Sequence, residues 1–299
     1  MDNRKSLQIL SGFILKLLAI VFMTLDHVGI FLYAIPETQS VGYVFRIIGR
    51  LAFPLYCFFL AEGLRYTRSK EKYLLRIGAM YLGITLVETI FVFAIKRGYT
   101  ADTLSPEPFT DLFFILLALY CLLLPKWKKI FALFPIALMG LSFGVDVYER
   151  LYSGTIIQWF PLYLRFGYGF FGLGLVIAFY FAPALVEKVY KSRVESVGIS
   201  LETFRESVEF RRQCNIFSII GLVVVTVIFW GIGYIASGSD FAPFDVYNMR
   251  LGSYCLLSGI LLYFYSGARG HDSKIFRIVS YAYFPVHLVI LYLIFSFIV

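Results

Sequence analysis

Nine apolar runs, at roughly 9–34, 41–66, 72–96, 109–125, 127–145, 158–186, 214–237, 246–268 and 274–298, dominate this chain. Each is long enough to cross a hydrocarbon core about 30 Å thick. Backbone amides in lipid have no water to bond, so a spanning segment must close its hydrogen bonds within itself, and a helix does so. The fold expected is therefore an all-α, polytopic bundle of about nine transmembrane helices. Of 299 residues, 60% are hydrophobic and 15% charged, more apolar surface than a water-soluble domain of this length can cover. The first run lacks a small-residue cleavage site and is expected to stay as the first span. No Gly- or Ser-rich linker and no fixed-period repeat interrupts the chain, so one transmembrane domain over 1–299 is expected.

The loops set the orientation. Arg4 and Lys5, then Arg68, Lys70 and Lys72, then Lys126, Lys128 and Lys129, then the stretch Lys188 to Arg212, then Arg269, Lys274 and Arg277 all fall on one side. The opposite loops carry Glu37, Asp102 and Glu107, Asp146 and Glu149, and Asp240 and Asp245, with Lys96, Arg97 and Arg150 as basic exceptions. The basic side is expected to be cytoplasmic, which places the amino terminus inside and, with an odd number of spans, Val299 outside. Topology thus accounts for the net charge of +8, and nucleic acid is not an expected partner. The one sizeable loop, about 187–213, mixes both signs of charge and reads as a surface helix or pair of turns. Its basic residues suit anionic lipid or an anionic ligand such as a nucleotide phosphate. Cys57, Cys121, Cys214 and Cys255 show no CxxC spacing and read as packing residues.

Charged side chains inside a span cost about 2.5 to 3.5 kcal/mol each at mid-helix, so a group of them needs a reason. Asp26 and His27 lie two thirds of the way out along the first span, and Arg46 and Arg50 lie in the first turns of the second, at a similar depth. The i,i+4 spacing puts both guanidiniums on one helical face, aimed at a common anion or at Asp26. The same depth arithmetic brings Glu88, Asp111, Arg165, Arg250 and His287 between mid-membrane and the outer face, which implies a polar cavity in the outer half of the bundle. The bland alternative is a set of buried ion pairs that fix helix packing.

Histidine narrows the chemistry because it exchanges protons near neutral pH. His271 sits in a basic loop and reads as a solvated surface residue. His27 neighbours Asp26, though adjacent helical residues point about 100° apart. His287 follows Pro285, which is expected to kink or loosen the last helix and free a carbonyl near the imidazole. A metal site is not expected: there is no HExxH and no His pair at i,i+4, and an Arg-rich cavity repels cations. GxSxG and P-loop motifs are also missing.

Leu17 to His27 (Leu-Leu-Ala-Ile-Val-Phe-Met-Thr-Leu-Asp-His), Arg46-Ile-Ile-Gly-Arg-Leu-Ala-Phe-Pro54, Leu60-Ala-Glu-Gly-Leu-Arg-Tyr-Thr-Arg68 and Tyr281-Ala-Tyr-Phe-Pro-Val-His287-Leu together resemble the TraX family. That family is named for the inner-membrane enzyme that N-acetylates the pilin of conjugative plasmids, and it is similar to the broader class of transmembrane acyltransferases. The resemblance implies a bacterial cytoplasmic-membrane enzyme that takes acetyl from cytoplasmic acetyl-CoA and passes it to an amine or hydroxyl near the outer face, with no metal. It implies that Asp26 and His27 are catalytic, His27 acting as general base or forming an acetyl-histidine, with His287 in the chemistry or lining the acceptor path. Arg46 and Arg50 would steady the carbonyl oxygen or grip the donor pyrophosphate, and Glu62, Arg65 and Arg68 would receive the nucleotide end of CoA. Glu88, Arg165 and Arg250 are the candidate acceptor-binding residues. A peptide amine, a glycan and a lipid head group all remain open as acceptors.

Two other readings use the same residues. A transporter or flippase would move an anionic substrate through the polar cavity, although no matched pair of broken helices marks two halves of the sequence. A non-catalytic membrane scaffold would use the charges for helix pairing alone.

Overall fold

The computed structural model describes residues 8–95, 108–152, 157, 159–231, 251–271 and 273–296, and these are helical apart from their connections. In chain order the helices are α1 (Gly12–Ala34), α2 (Gln39–Gly49), α3 (Ala52–Tyr66), α4 (Lys70–Ile95), α5 (Pro108–Leu122), α6 (Leu133–Leu151), α7 (Gly169–Ser196), α8 (Leu201–Arg205), α9 (Val208–Thr226), α10 (Ser258–Tyr263) and α11 (Lys274–Ser296). Among the described residues, five helical stretches are long and apolar enough to cross a membrane: Gly12–Ala34, Pro36–Tyr66, Lys126–Glu149, Gly169–Ser196 and Val208–Trp230. The protein is a multi-pass membrane protein of all-helical class. Two compact units make it up, one of Met1–Phe58, Ala178–Trp230 and Tyr247–Val299, the other of Phe59–Ile177 and Gly231–Val246.

In the first unit α1 and α2 pack antiparallel with almost nothing between their backbones. Glycines make this approach: a Cβ on Gly42 would overlap Tyr33 N, one on Gly49 would overlap Asp26, and one on Gly29 would come within 2.9 Å of both Gly42 O and Arg46 Cγ. Small residues let helices in lipid approach in this way. The stretch Pro36–Tyr66 breaks between α2 and α3 at Arg50 and Leu51. The cause is Pro54, which has no N–H for the carbonyl of Arg50 four residues back and whose ring crowds that carbonyl.

The opposite partner of α1 is α11, and the two run parallel. Phe13 meets Phe276 (4.7 Å between ring centroids), Thr24 meets Tyr283, His27 meets His287, and Phe31 stacks on Phe295 at 4.5 Å. The start of α1 is tied to the segment after α10. The amides of Gly12 and Phe13 donate to the carbonyls of Ala268 (2.7 Å) and Arg269 (3.0 Å), and Leu10 N donates to Phe264 O at 2.9 Å. These bonds satisfy donors that the first turn of a helix leaves open. Leu291 is buried on α11, and the helix runs unbroken through Pro285.

The region read as a loop at 187–213 is the end of α7, a turn through Gly198 (φ +74°), α8 and the start of α9, capped by Ser200 and Ser207. It closes on its own apolar core of Val186, Val194, Phe204, Phe210 and Cys214, with Arg205 paired to Glu187 at 2.8 Å on the outside.

In the second unit, aromatic rings of α4 and α5 stack, Tyr81 on Phe113 at 5.4 Å. The sixth apolar run departs from expectation here: helix starts at Gly169 instead of 158 and continues to Ser196. The physical reason lies on α5. The fully buried carboxylate of Asp111 accepts hydrogen bonds from the amides of Gly167 (3.1 Å), Tyr168 (3.1 Å) and Gly169 (2.7 Å), so it supplies from another helix the cap that fixes where α7 begins. The irregular stretch before it is pinned by Ser142, which accepts from Phe166 N at 3.0 Å, and by Tyr81, which donates to Tyr163 O at 3.2 Å.

Candidate active site

One helical turn of α1 carries Thr24, Asp26 and His27, and each is met by a different neighbour. Asp26 faces α2. Arg50 Nη2 donates to both carboxylate oxygens, at 2.9 and 3.0 Å, and Arg46 Nε stands 3.9 Å from Oδ1. Gly49 makes this possible, since any side chain there would occupy the space of Asp26. Gly29 does the same for the stem of Arg46. The two arginines differ in reach: Arg50 hydrogen-bonds both oxygens of Asp26, while Arg46 stands 3.9 Å from that carboxylate, an ion pair without a hydrogen bond. One carboxylate against two guanidiniums leaves the trio with a net charge of +1.

His27 faces α11. Its Nδ1 lies 2.8 Å from Nε2 of His287, whose own Nδ1 lies 3.0 Å from the backbone oxygen of Tyr283. His287 is 5% exposed, and the ring of Tyr283 stacks on it at 4.9 Å with 7° between planes. The Tyr283 hydroxyl is 2.7 Å from Thr24 Oγ1. Because Thr24 gives its single proton to Ile20 O (2.8 Å), the tyrosine donates and the threonine accepts. The carbonyl that meets His287 is thus the one four residues back on its own helix, not the Tyr281 carbonyl that Pro285 deprives of a donor. Both guanidiniums are near enough to His27 to act on it electrostatically. A base pair of imidazoles beside a surplus cation, in a protein interior, can take a proton from a nucleophile and hold a developing negative charge.

Comparison with known proteins places this arrangement. The family model described as TraX protein matches residues 11–295, nearly the whole chain. The chain belongs to the TraX family.

Among curated relatives, this TraX chain is 28% identical over 159 residues to the probable fimbrial assembly protein FimC, serogroup H1, of Dichelobacter nodosus, a match covering 50% of the chain and 63% of that protein. It is 50% identical over 46 residues to the uncharacterized protein RP591 of Rickettsia prowazekii (strain Madrid E), covering 15% of the chain and 16% of that protein. No solved structure matches.

The other residues singled out in the TraX sequence have these places. Arg165 lies in the irregular stretch before α7, not inside a span, and its guanidinium is held by Glu149 at 2.5 and 2.7 Å, with Asp146 at 3.9 Å. Asp111 is the cap of α7. Glu62 and Arg65 lie near the end of α3, Arg65 over the ring of Tyr66 at 5.8 Å, and Arg68 is exposed in the following turn. The side chain of Glu88 and all of Arg250 lie outside the described residues. Among the described residues no three His, Cys, Asp or Glu side chains come together as a metal site, and all four cysteines are buried free thiols. Two members of the constellation were not anticipated, Thr24 and Tyr283. Both were within reach, because they stand three and four residues before His27 and His287 and so share their helical faces.

Proposed function

We propose that this TraX-family protein is a membrane-bound acyltransferase that moves an acetyl group from cytoplasmic acetyl-CoA to an amine or hydroxyl near the outer face of a bacterial cytoplasmic membrane. The observation that carries the reading is the His27–His287 pair set beside Asp26, Arg50 and the surplus charge of Arg46. Full-length family membership supports it. Nine spans, with the amino terminus inside, complete the proposal. The parallel course of α1 and α11 and the pairing of Leu10 with Phe264 and Ser266 support an odd number of spans, since both helices then start from one side; the basic loops support the amino terminus inside.

Acetyl-CoA is an anion, and the net positive trio, with Arg46 only loosely paired to Asp26 at 3.9 Å, suits an anionic ligand. When bound it supplies an activated acetyl group and a thiolate leaving group. His27 takes the proton of the attacking amine or hydroxyl, or itself accepts the acetyl group; Arg46 stabilises the negative charge that develops on the carbonyl oxygen, or grips the phosphates; Arg50 keeps Asp26 in place. The proton passes finally to the departing thiolate. Glu62, Arg65 and Arg68 are the proposed contacts for the nucleotide end, and Glu88 and Arg250 for the acceptor, whereas Arg165 is held by Glu149. The fimbrial-assembly name of the Dichelobacter relative makes the amino terminus of a pilin-like subunit one candidate acceptor, beside glycans and lipid head groups.

The test is calorimetry of acetyl-CoA with detergent-purified protein. Saturable binding, weakened in Arg46→Gln and retained in His27→Ala, is expected. Absence of binding to folded wild-type protein would overturn acetyl transfer and favour transport of an anionic substrate.

A further inference from the structure

We infer that His287 is a positioning residue: it holds His27 in the Nδ1–H tautomer and so makes His27 Nε2 the atom that accepts the proton, or the acetyl group, in the proposed reaction. The role of Nε2 rests on the acyltransferase reading, whereas the tautomer stands on hydrogen-bond geometry alone.

The argument starts from an atom with no choice. A backbone carbonyl only accepts, so the 3.0 Å contact between Tyr283 O and His287 Nδ1 requires the hydrogen on Nδ1. A neutral imidazole carries one N–H, hence Nε2 of His287 presents a lone pair. That lone pair lies 2.8 Å from Nδ1 of His27, which must therefore donate. The single hydrogen of neutral His27 is thereby placed on Nδ1, and Nε2 carries the lone pair. Histidine in water favours the other tautomer, with Nε2–H, so the pair imposes a state the isolated side chain would not choose. Which ring nitrogen is protonated is set by the bond the other makes.

The rest of the network holds the ring that does the imposing. The Tyr283 ring lies flat against His287, and its hydroxyl is anchored on Thr24, one turn from His27 on α1. The acceptor and the base it orients are therefore locked to each other across two parallel helices. When His27 gains a proton on Nε2, the bond from its Nδ1–H to His287 becomes charge-assisted and stronger, which favours the protonated state that the reaction passes through. In this respect His287 does for His27 what the carboxylate does for histidine in hydrolytic triads, with a neutral acceptor in place of a charge.

Nitrogen NMR on the full chain, labelled with ¹⁵N-histidine and held in nanodiscs, reads the tautomer directly. Only His27, His271 and His287 contribute signals, and a His271→Asn variant removes the surface one. At a pH where the pair is neutral, His27 is expected to show a protonated Nδ1 and an unprotonated Nε2. His287→Phe should return it to Nε2–H, and His287→Gln, whose side-chain oxygen can accept from Nδ1–H, should keep the wild-type pattern. In an acetyl-transfer assay His287→Phe is expected to lower kcat on the order of 10²-fold with KM little changed, and His287→Gln to recover at least part of that loss. Nε2–H on His27 in the wild type would overturn the inference whatever the activity. Nδ1–H in a protein that fails to bind acetyl-CoA would support the positioning geometry and overturn the acyltransferase reading instead.

Discussion

Arg46 and Arg50 are the same residue type one helical turn apart, yet the structure gives them opposite chemistry. Arg50 neutralises a buried carboxylate, so Arg50→Gln strands Asp26 without its bonded cation and is expected to cost about 3–5 kcal/mol, read as a lower unfolding midpoint in detergent. Arg46→Gln removes a guanidinium that stands 3.9 Å from Asp26 without a hydrogen bond to it, and is expected to lower the midpoint far less than Arg50→Gln while weakening acetyl-CoA binding. Gly49→Ala should push Asp26 off α2 and cost about 1–3 kcal/mol, whereas Gly144→Ala, where an added Cβ meets nothing within 4 Å, should be neutral or mildly stabilising in the same thermal assay. Sequence reading reached Asp26, His27, Arg46, Arg50 and His287 because charges in apolar runs stand out and because i,i+4 spacing fixes a shared face. It did not separate the two arginines: that distinction depends on which guanidinium reaches Asp26 across the interface, which no spacing within one helix encodes.

At the scale of elements, the helical class was legible, while several boundaries were not. Hydropathy marks the apolar run at 158–186, but the start of α7 is decided by Asp111, more than fifty residues earlier. Asp111→Ala leaves the amides of Gly167, Tyr168 and Gly169, at the entry to α7, without their acceptor, at about 1–3 kcal/mol for a stranded buried polar group. The expected result is a lowered unfolding midpoint, with Asp111→Asn recovering part of the loss because its carbonyl still accepts; unfolding in detergent followed by circular dichroism measures both. Arg165 shows the same blindness from the other side. Its partner Glu149 sits sixteen residues away in sequence, beyond any helical repeat, so a charge that looked available to a ligand is engaged by a neighbour. The break after α2 also escapes hydropathy, which reads 41–66 as one span, although its cause is local: Pro54 acts on the carbonyl of Arg50, and the interruption falls there.

For the whole molecule, the proposed topology puts the end of α11 on the outer side. A reporter fused after Val299 is therefore expected to be active as alkaline phosphatase and dark as a cytoplasmic fluorescent protein; the reverse pattern would overturn the proposed orientation, because parallel α1 and α11 would then both start outside. The parallel pairing of α1 with α11 reaches beyond topology. His27 and His287 stand 260 residues apart along the chain, and Leu10 finds its partners only near residue 265. During synthesis α1 enters the membrane among the first segments made and waits, its histidine without its orienting partner, until the last described helix leaves the ribosome. Long-range closure of this kind comes late in folding. A nascent or prematurely terminated chain lodged in the membrane therefore lacks the His27–His287 pair, and on the proposed function it is inert until α11 is in place.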